Sequence, residues 1–248
     1  MFYKYIAILF LLSALLQALN NKHFKLEKIA DIPEASGICF NKHSNTLFVA
    51  NDEGSVYEIS TTGKILRKKR LGDYDLEGVA CKKNTLYFAV EGKDSVLIVN
   101  QDDFSIKEEL KIKSKYRGRT IIKRDKKHGL EGITIKKGMI YLSNQSYKSY
   151  PKKDPSVVFT IKDKISNKKS KIKKIYNHGY YDIAGLTIYK NQLYMVSDKK
   201  NLLINLDRKK EYKIPKFAQE GVCFDNKGYI YFADDEGFVF KGVFDANN

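Results

Sequence analysis

Apolar residues fall along this chain in short blocks, cut by Gly, Asn, Asp and Lys, and the blocks recur in pairs. The first member of each pair opens with a small or acidic residue and Gly. An apolar, a small and a further core-compatible residue follow. The five copies are Ser36-Gly37-Ile38-Cys39-Phe40, Glu77-Gly78-Val79-Ala80-Cys81, Glu131-Gly132-Ile133-Thr134-Ile135, Ala184-Gly185-Leu186-Thr187-Ile188 and Glu220-Gly221-Val222-Cys223-Phe224. A short polar turn and a second apolar block follow each one, beginning at Leu47, Leu86, Ile140, Leu193 and Ile230. The glycines are 41, 54, 53 and 36 residues apart. Short strands recurring at ~40–50 residues predict an all-β fold, a single β-propeller with one blade per repeat.

Five blades are expected, or six if one long spacing holds a degenerate blade. The fifth repeat runs out of chain before an outer strand. The segment from His23 to Asp31 alternates well enough to supply it, which would close the ring and remove two exposed sheet edges.

Composition narrows the class. The 248 residues include 45 Lys plus Arg against 29 Asp plus Glu, a formal charge of +16, and 43% are hydrophobic. That balance excludes a disordered chain and describes a basic folded domain. Three Cys cannot form a closed disulfide framework, and no Cys/His spacing suggests zinc. Their repeat positions place them in the core. A Cys39–Cys223 bridge is disfavoured because facing sheets stand ~10 Å apart, so three free thiols are expected.

The N-terminus reads differently from the rest. Ile6 to Leu16 is an almost unbroken apolar run, and Ala18 precedes a polar stretch. Residues 1–18 read as a secretory signal or a short N-terminal anchor, with the propeller domain at 19–248. The run is short against the ~20 residues of a spanning helix. The expected location is outside the cytoplasm, in a periplasm, with possible anchoring to the inner membrane.

The phrases Glu-Ala-Ser-Gly-Ile (34–38), Asn-Asp-Glu-Gly (51–54), Asp-Leu-Glu-Gly-Val (75–79), Gly-Leu-Glu-Gly-Ile (129–133), Asp-Ile-Ala-Gly-Leu (182–186) and Gln-Glu-Gly-Val (219–222) resemble the SdiA-regulated, YjiK-like propeller family of bacterial envelope proteins. The resemblance runs from about residue 28 to 245. It implies an exported propeller, often with an N-terminal hydrophobic segment, and no defined reaction. The family usually has Ser where Ala184 stands.

Propeller topology places the residue before each repeat Gly at one mouth of the central channel. Glu77, Glu131 and Glu220 then converge, with Ser36 and Ala184 completing the ring. The ends of the second strands add Asp52, Glu91, Gln145, Asp198 and Asp235, with Asn144 just before one of them. Converging carboxylates raise one another's pKa unless a cation neutralises them. Oxygen ligands without His or Cys favour calcium, or magnesium, as the cofactor. Similar Glu-Gly segments occur in calcium-dependent lactonase propellers, an analogy that favours the metal reading. Ordinary water-filled polar channels are the competing explanation.

Two runs carry most of the charge. Lys111 to Lys127 holds nine basic residues and one acid, and Lys162 to Lys174 holds seven and one. Lys123, Arg124, Lys126, Lys127 and His128 are the expected anion contacts, against the competing reading of a solvated loop. His178 enters the same mouth as a candidate base or cap, whereas His23 and His43 read as exposed. The expected partner is an anionic envelope ligand or protein, with possible membrane-surface association and no nucleic acid; a monomer is expected. Binding is favoured over a metal-dependent hydrolase of esters, lactones or phosphoesters, since no nucleophile or paired acid and base is evident.

Overall fold

The computed structural model describes residues 19–123, 129–163 and 169–246. The apolar segment assigned as a signal or anchor lies outside them. In chain order, β1 (Leu19–Asn20) and β2 (Phe24–Asp31) precede the repeats. The first blade is β3 (Ala35–Asn41), β4 (Thr46–Asn51), β5 (Ser55–Ser60) and β6 (Ile65–Arg70). The second is β7 (Leu76–Lys82), β8 (Thr85–Val90), β9 (Ser95–Asn100) and β10 (Ile106–Lys113). A small ribbon of β11 (Lys115–Tyr116) and β12 (Arg119–Thr120) follows.

The third blade contains β13 (Leu130–Lys136), β14 (Met139–Asn144) and β15 (Val157–Lys162). After β16 (Lys169–Lys171), β17 (Lys174–Tyr176) adds its fourth strand. The fourth blade is β18 (Ile183–Tyr189), β19 (Gln192–Ser197), β20 (Leu202–Asn205) and β21 (Lys210–Lys213). The chain ends in β22 (Gln219–Phe224), β23 (Tyr229–Asp234) and β24 (Phe238–Phe244).

The inner strands β3, β7, β13, β18 and β22 contact one another in a closed ring, so there are five blades and no sixth. As the sequence pattern predicts, β2 pairs antiparallel with β24 and completes the fifth blade. Phe24 explains the fit. It is buried, stacks on Phe244 at 5.2 Å and meets Phe232 edge-on at 6.0 Å. The expectation that His23 is exposed fails for the same reason. His23 is buried with β2, bonds the Asp245 carbonyl and packs edge-on against Tyr212.

The repeat glycines are explained by close approach. A Cβ on Gly78 would stand 2.4 Å from the Glu131 carbonyl oxygen, and one on Gly132 2.7 Å from the Leu186 nitrogen. The inner strands therefore run closer than any side chain permits. Sheets splay outwards from that seam, and the wedges between them fill with Val, Ile, Leu, Phe and Tyr.

This crowding corrects the cysteine reading. Cys39 and Cys81 form a disulfide with Cα atoms 5.9 Å apart, and Cys223 alone is free. The ~10 Å spacing applies where sheets face each other over full side chains. At the channel, neighbouring inner strands nearly touch, and the separation falls into the range a bridge prefers.

The outer edges carry the charge. β6 is exposed along its length and reads Ile-Leu-Arg-Lys-Lys-Arg, a composition that blunts an open edge. β10 is covered instead. The chain leaving β15 crosses from the third blade and lays β16 parallel to β10, pairing Lys111 with Lys169 and Lys113 with Lys171. The second basic run thus lies between the third and fourth strands of blade three, not in the connection to blade four. The two runs meet as a lysine ladder.

Candidate functional site

Each blade builds the acidic mouth with the same local device. The pairing of first and second strands shifts register at the residue before the repeat glycine: around Ser36, Glu77, Glu131, Ala184 and Glu220. A β-bulge leaves that residue outside the ladder and re-aims its side chain, here towards the axis.

A second set is tied to the first by backbone hydrogen bonds. The amide of Asp52 donates to the Glu34 carbonyl, Glu91 to Asp75, Gln145 to Gly129 and Asp235 to Ala218, at 3.4, 3.0, 2.9 and 3.0 Å. In each case the acceptor lies two residues before the bulge. The two sets are therefore locked in register.

Together Ser36, Asp52, Glu77, Glu91, Glu131, Gln145, Glu220 and Asp235 line one cavity of about 200 Å³. Among the described residues no Lys, Arg or His lines it. Glu131 is 5% exposed and Glu91 8%, so both carboxyls are held at the wall with little access to bulk water. The repeat register expects all eight at one mouth, together with Ala184, which does not line the cavity.

One polar residue expected at the mouth stands elsewhere. Asn144 is buried and turned away, donating to the Pro155 carbonyl at 2.9 Å and to Asp154 at 3.3 Å. Asn51 does the equivalent in blade one, donating to the Pro33 carbonyl at 2.9 Å. Both amides fasten neighbouring loop backbone. Asp198 sits beside the cavity, close enough to act on the Glu220 carboxyl electrostatically.

Burial and mutual repulsion govern the protonation of this mouth. Burial, then the nearby Glu131, pushes the Glu77 carboxyl well above the usual range. Burial and Glu220 do the same to Glu131. Glu220 is pushed up to about 8 by burial, then by Asp198 and Asp235. Asp52 rises to about 7 through burial and its Glu34 neighbour. Without a counter-charge the mouth holds protons at neutral pH.

The sequence reading missed Asp75. Ligand oxygens of Asp75, Glu77 and Glu91 all lie within 4.8 Å of one another, a cluster that spans both sets in blade two. Glu34, Asp75 and Asp182 share one repeat position, two residues before the bulge, which is the signal that could have revealed it.

Of the expected anion contacts, Lys123 alone belongs to the described residues, and it does not line the cavity. Arg124, Lys126, Lys127 and His128 lie outside the described residues. Lys123 is exposed, and its amide donates to Asp154 at 3.2 Å. His178 accepts from the Tyr180 amide at 3.1 Å, and burial holds its ring down at about 4. It is a neutral cap. Burial, then the Asp182 carboxylate, holds the Tyr147 hydroxyl above its ordinary range, and Tyr147 does not line the cavity.

Comparison with known proteins agrees with this architecture. No curated protein matches the sequence. Among solved structures, the glutaminyl cyclase of Myxococcus xanthus is similar at 12% identity with a TM-score of 0.66, over 90% of this chain and 95% of that one. A chain of a nidogen/laminin complex is similar at 15% identity with a TM-score of 0.51, over 81% of this chain and 72% of that one. At these identities the likeness concerns the fold alone. A family model described as SdiA-regulated matches residues 15–240, and with the five-bladed ring and its repeated Glu-Gly bulges the chain belongs to the SdiA-regulated family.

Proposed function

We propose that this protein is an exported binding module. Its acidic mouth takes a divalent cation, and its basic rim engages an anionic envelope ligand or partner. The observation that carries the reading is the convergence of Glu77, Glu131 and Glu220 on one small cavity that no basic side chain among the described residues lines. Carboxyls so arranged must keep protons or acquire a cation. Glu77, Glu131 and Glu220 would hold the ion, with Asp75 and Glu91 in reach of the same blade-two cluster. Calcium is the better candidate, because larger coordination numbers accommodate several carboxylates.

The anionic class of ligand is supported by the lysine ladder. Lys111, Lys113, Lys169 and Lys171 are exposed, and none has an ion-pair partner among the described residues. Like charges directly opposite across strands are unfavourable, and an anion would relieve them. Export is supported by the Cys39–Cys81 disulfide, since such bonds persist in oxidising compartments.

Calcium titration of thermal unfolding at pH 7.5 tests the cation. The melting temperature should rise with the logarithm of free calcium, and Glu131→Gln should blunt the rise. No response would remove the ion from the proposal. A second reading, a metal-dependent hydrolase of esters or phosphoesters, is favoured by the Glu220 carboxyl, which at about 8 can donate a proton near neutral pH. Calcium-dependent turnover lost in Glu220→Gln would promote it.

A further inference from the structure

The channel has a second mouth, opposite in position and in charge. At the end where the inner hairpins turn lies an open cavity of about 560 Å³. Its walls come from the first-to-second-strand turns of blades one, two, four and five. It shares no residue with the acidic cavity. Between them the five repeat glycines pinch the channel to a pocket of about 10 Å³, at the lower limit for a single water. A ligand at one mouth cannot reach the other.

The chemistry of this mouth is amphipathic. Tyr189 and Phe224 stack as one aromatic wall, with ring centroids 4.0 Å apart and planes 11° from parallel. Lys42, Lys83 and Lys190 stand exposed around it. Lys82 is committed to an ion pair with Asp163. The one acid among the described lining residues, Asp225, is already occupied. It accepts from the amides of Lys227 and Tyr229, both at 2.9 Å, and from the Tyr231 hydroxyl at 3.0 Å. Lys42 and Lys83 have no anionic partner among the described residues, and the Lys190 ammonium sits 5.1 Å from the Tyr189 ring centroid.

The geometry points to a second binding site here, for a small amphipathic anion: a carboxylate, sulfonate or phosphate monoester carried on an aromatic body. The ring body lies against Tyr189 and Phe224, and the anionic head faces Lys42, Lys83 and Lys190. Apolar walls with a few convergent charges are the usual form of a small-molecule site. The inference does not depend on a cation at the acidic mouth.

The probe is 8-anilinonaphthalene-1-sulfonate, titrated against the folded full chain by fluorescence. Saturable one-to-one binding is expected, weakening as salt rises. The neutral N-phenyl-1-naphthylamine should bind at least about tenfold more weakly, since the salt-screened charge contributes about 1.4 kcal/mol or more. Combined Lys42→Ser, Lys83→Ser and Lys190→Ser substitutions should remove the salt dependence and weaken binding about tenfold. Lys83→Glu alone, in an exposed turn, is the second variant and should weaken binding in the same direction. Glu131→Gln should leave the titration unchanged. Absence of saturable binding, equal binding of the neutral probe, or parental binding by both lysine variants overturns the inference. Loss of binding in Glu131→Gln would move the anion to the acidic mouth and overturn it equally.

Discussion

Cys39 and Cys81 join the inner strands of the first two blades, with their Cα atoms 5.9 Å apart and 42 residues between them in sequence. The bridge closes a long loop between neighbouring inner strands, just beyond the glycine constriction of the channel. In the chain-entropy view such a loop is worth about 4 kcal/mol, less any strain. Cys39→Ala with Cys81→Ala should therefore lower unfolding stability by about 2–4 kcal/mol in denaturant titration. Reductant should destabilise the parent comparably and leave the double variant unaffected. Alkylation under denaturing, non-reducing conditions should count one thiol.

Stability of the cation-free protein should fall as pH rises through the neutral range. Glu77, Glu131 and Glu220 have raised folded pKa values, about 8 for Glu220. Below the unfolded value, ~4.3, both states are protonated and no penalty arises. Between ~4.3 and about 8 the unfolded chain releases the Glu220 proton that the folded mouth retains, and Glu77 and Glu131 act in the same direction. The slope is then unfavourable, about 1.4 kcal/mol per pH unit for each such group. Chemical unfolding in chelator at pH 5, 6.5 and 8 should show the decline, and Glu131→Gln should flatten it. A flat parental profile would mean that these carboxyls titrate normally.

Phe24→Ala should cost about 3–5 kcal/mol, because it empties a buried position between Phe232 and Phe244. A chain beginning at Pro33 should fare worse and aggregate through the bared edge of β24. Light scattering on heating separates the two. An unchanged melting temperature in the shortened chain would contradict the role of β2 in closure.

Gly132→Ala should be strongly destabilising for the addition of one methyl group. Its Cβ would meet backbone of the next inner strand at 2.7 Å, where no flexible side chain can move aside. A loss of about 3 kcal/mol or more, read by denaturant unfolding, is expected. Gly138→Ala is the control for added bulk, since a Cβ there meets nothing within 4 Å and only its φ of +72° opposes the change.

Lys169→Glu should stabilise the outer edge of blade two by about 0.2–1 kcal/mol, converting a like pair with Lys111 into an opposite one. The same change should reduce capture of anionic vesicles in a flotation assay. A stabilised protein with undiminished capture would confine the ladder to a structural role.

The repeat was legible because its cause is local and periodic. A Gly flanked by core residues, followed by a second apolar block, is demanded wherever an inner strand meets its neighbour. Five copies revealed five blades, and the missing outer strand revealed the part played by residues 24–31. The acidic mouth followed from the same register, since equivalent positions in equivalent strands must share one end of the channel. Asp75 shows that the method stopped one position early.

What the chain alone determined is thus whatever repeats: the strands, the ring and the carboxylates at one mouth. Contacts between non-equivalent segments were decided by tertiary structure. Cys39 and Cys81 occupy different repeat slots, and only the convergence of inner strands brings them into bonding range. Asn144 lies beside Gln145 in sequence, yet the strand pleat turns it to a loop carbonyl instead of the cavity. The lysine ladder joins runs about 58 residues apart by a parallel crossing that no periodicity encodes. The physical reason is the same in each case. Periodic patterns specify which face of a strand is buried, whereas pairings between blades depend on where a closed ring brings their edges together.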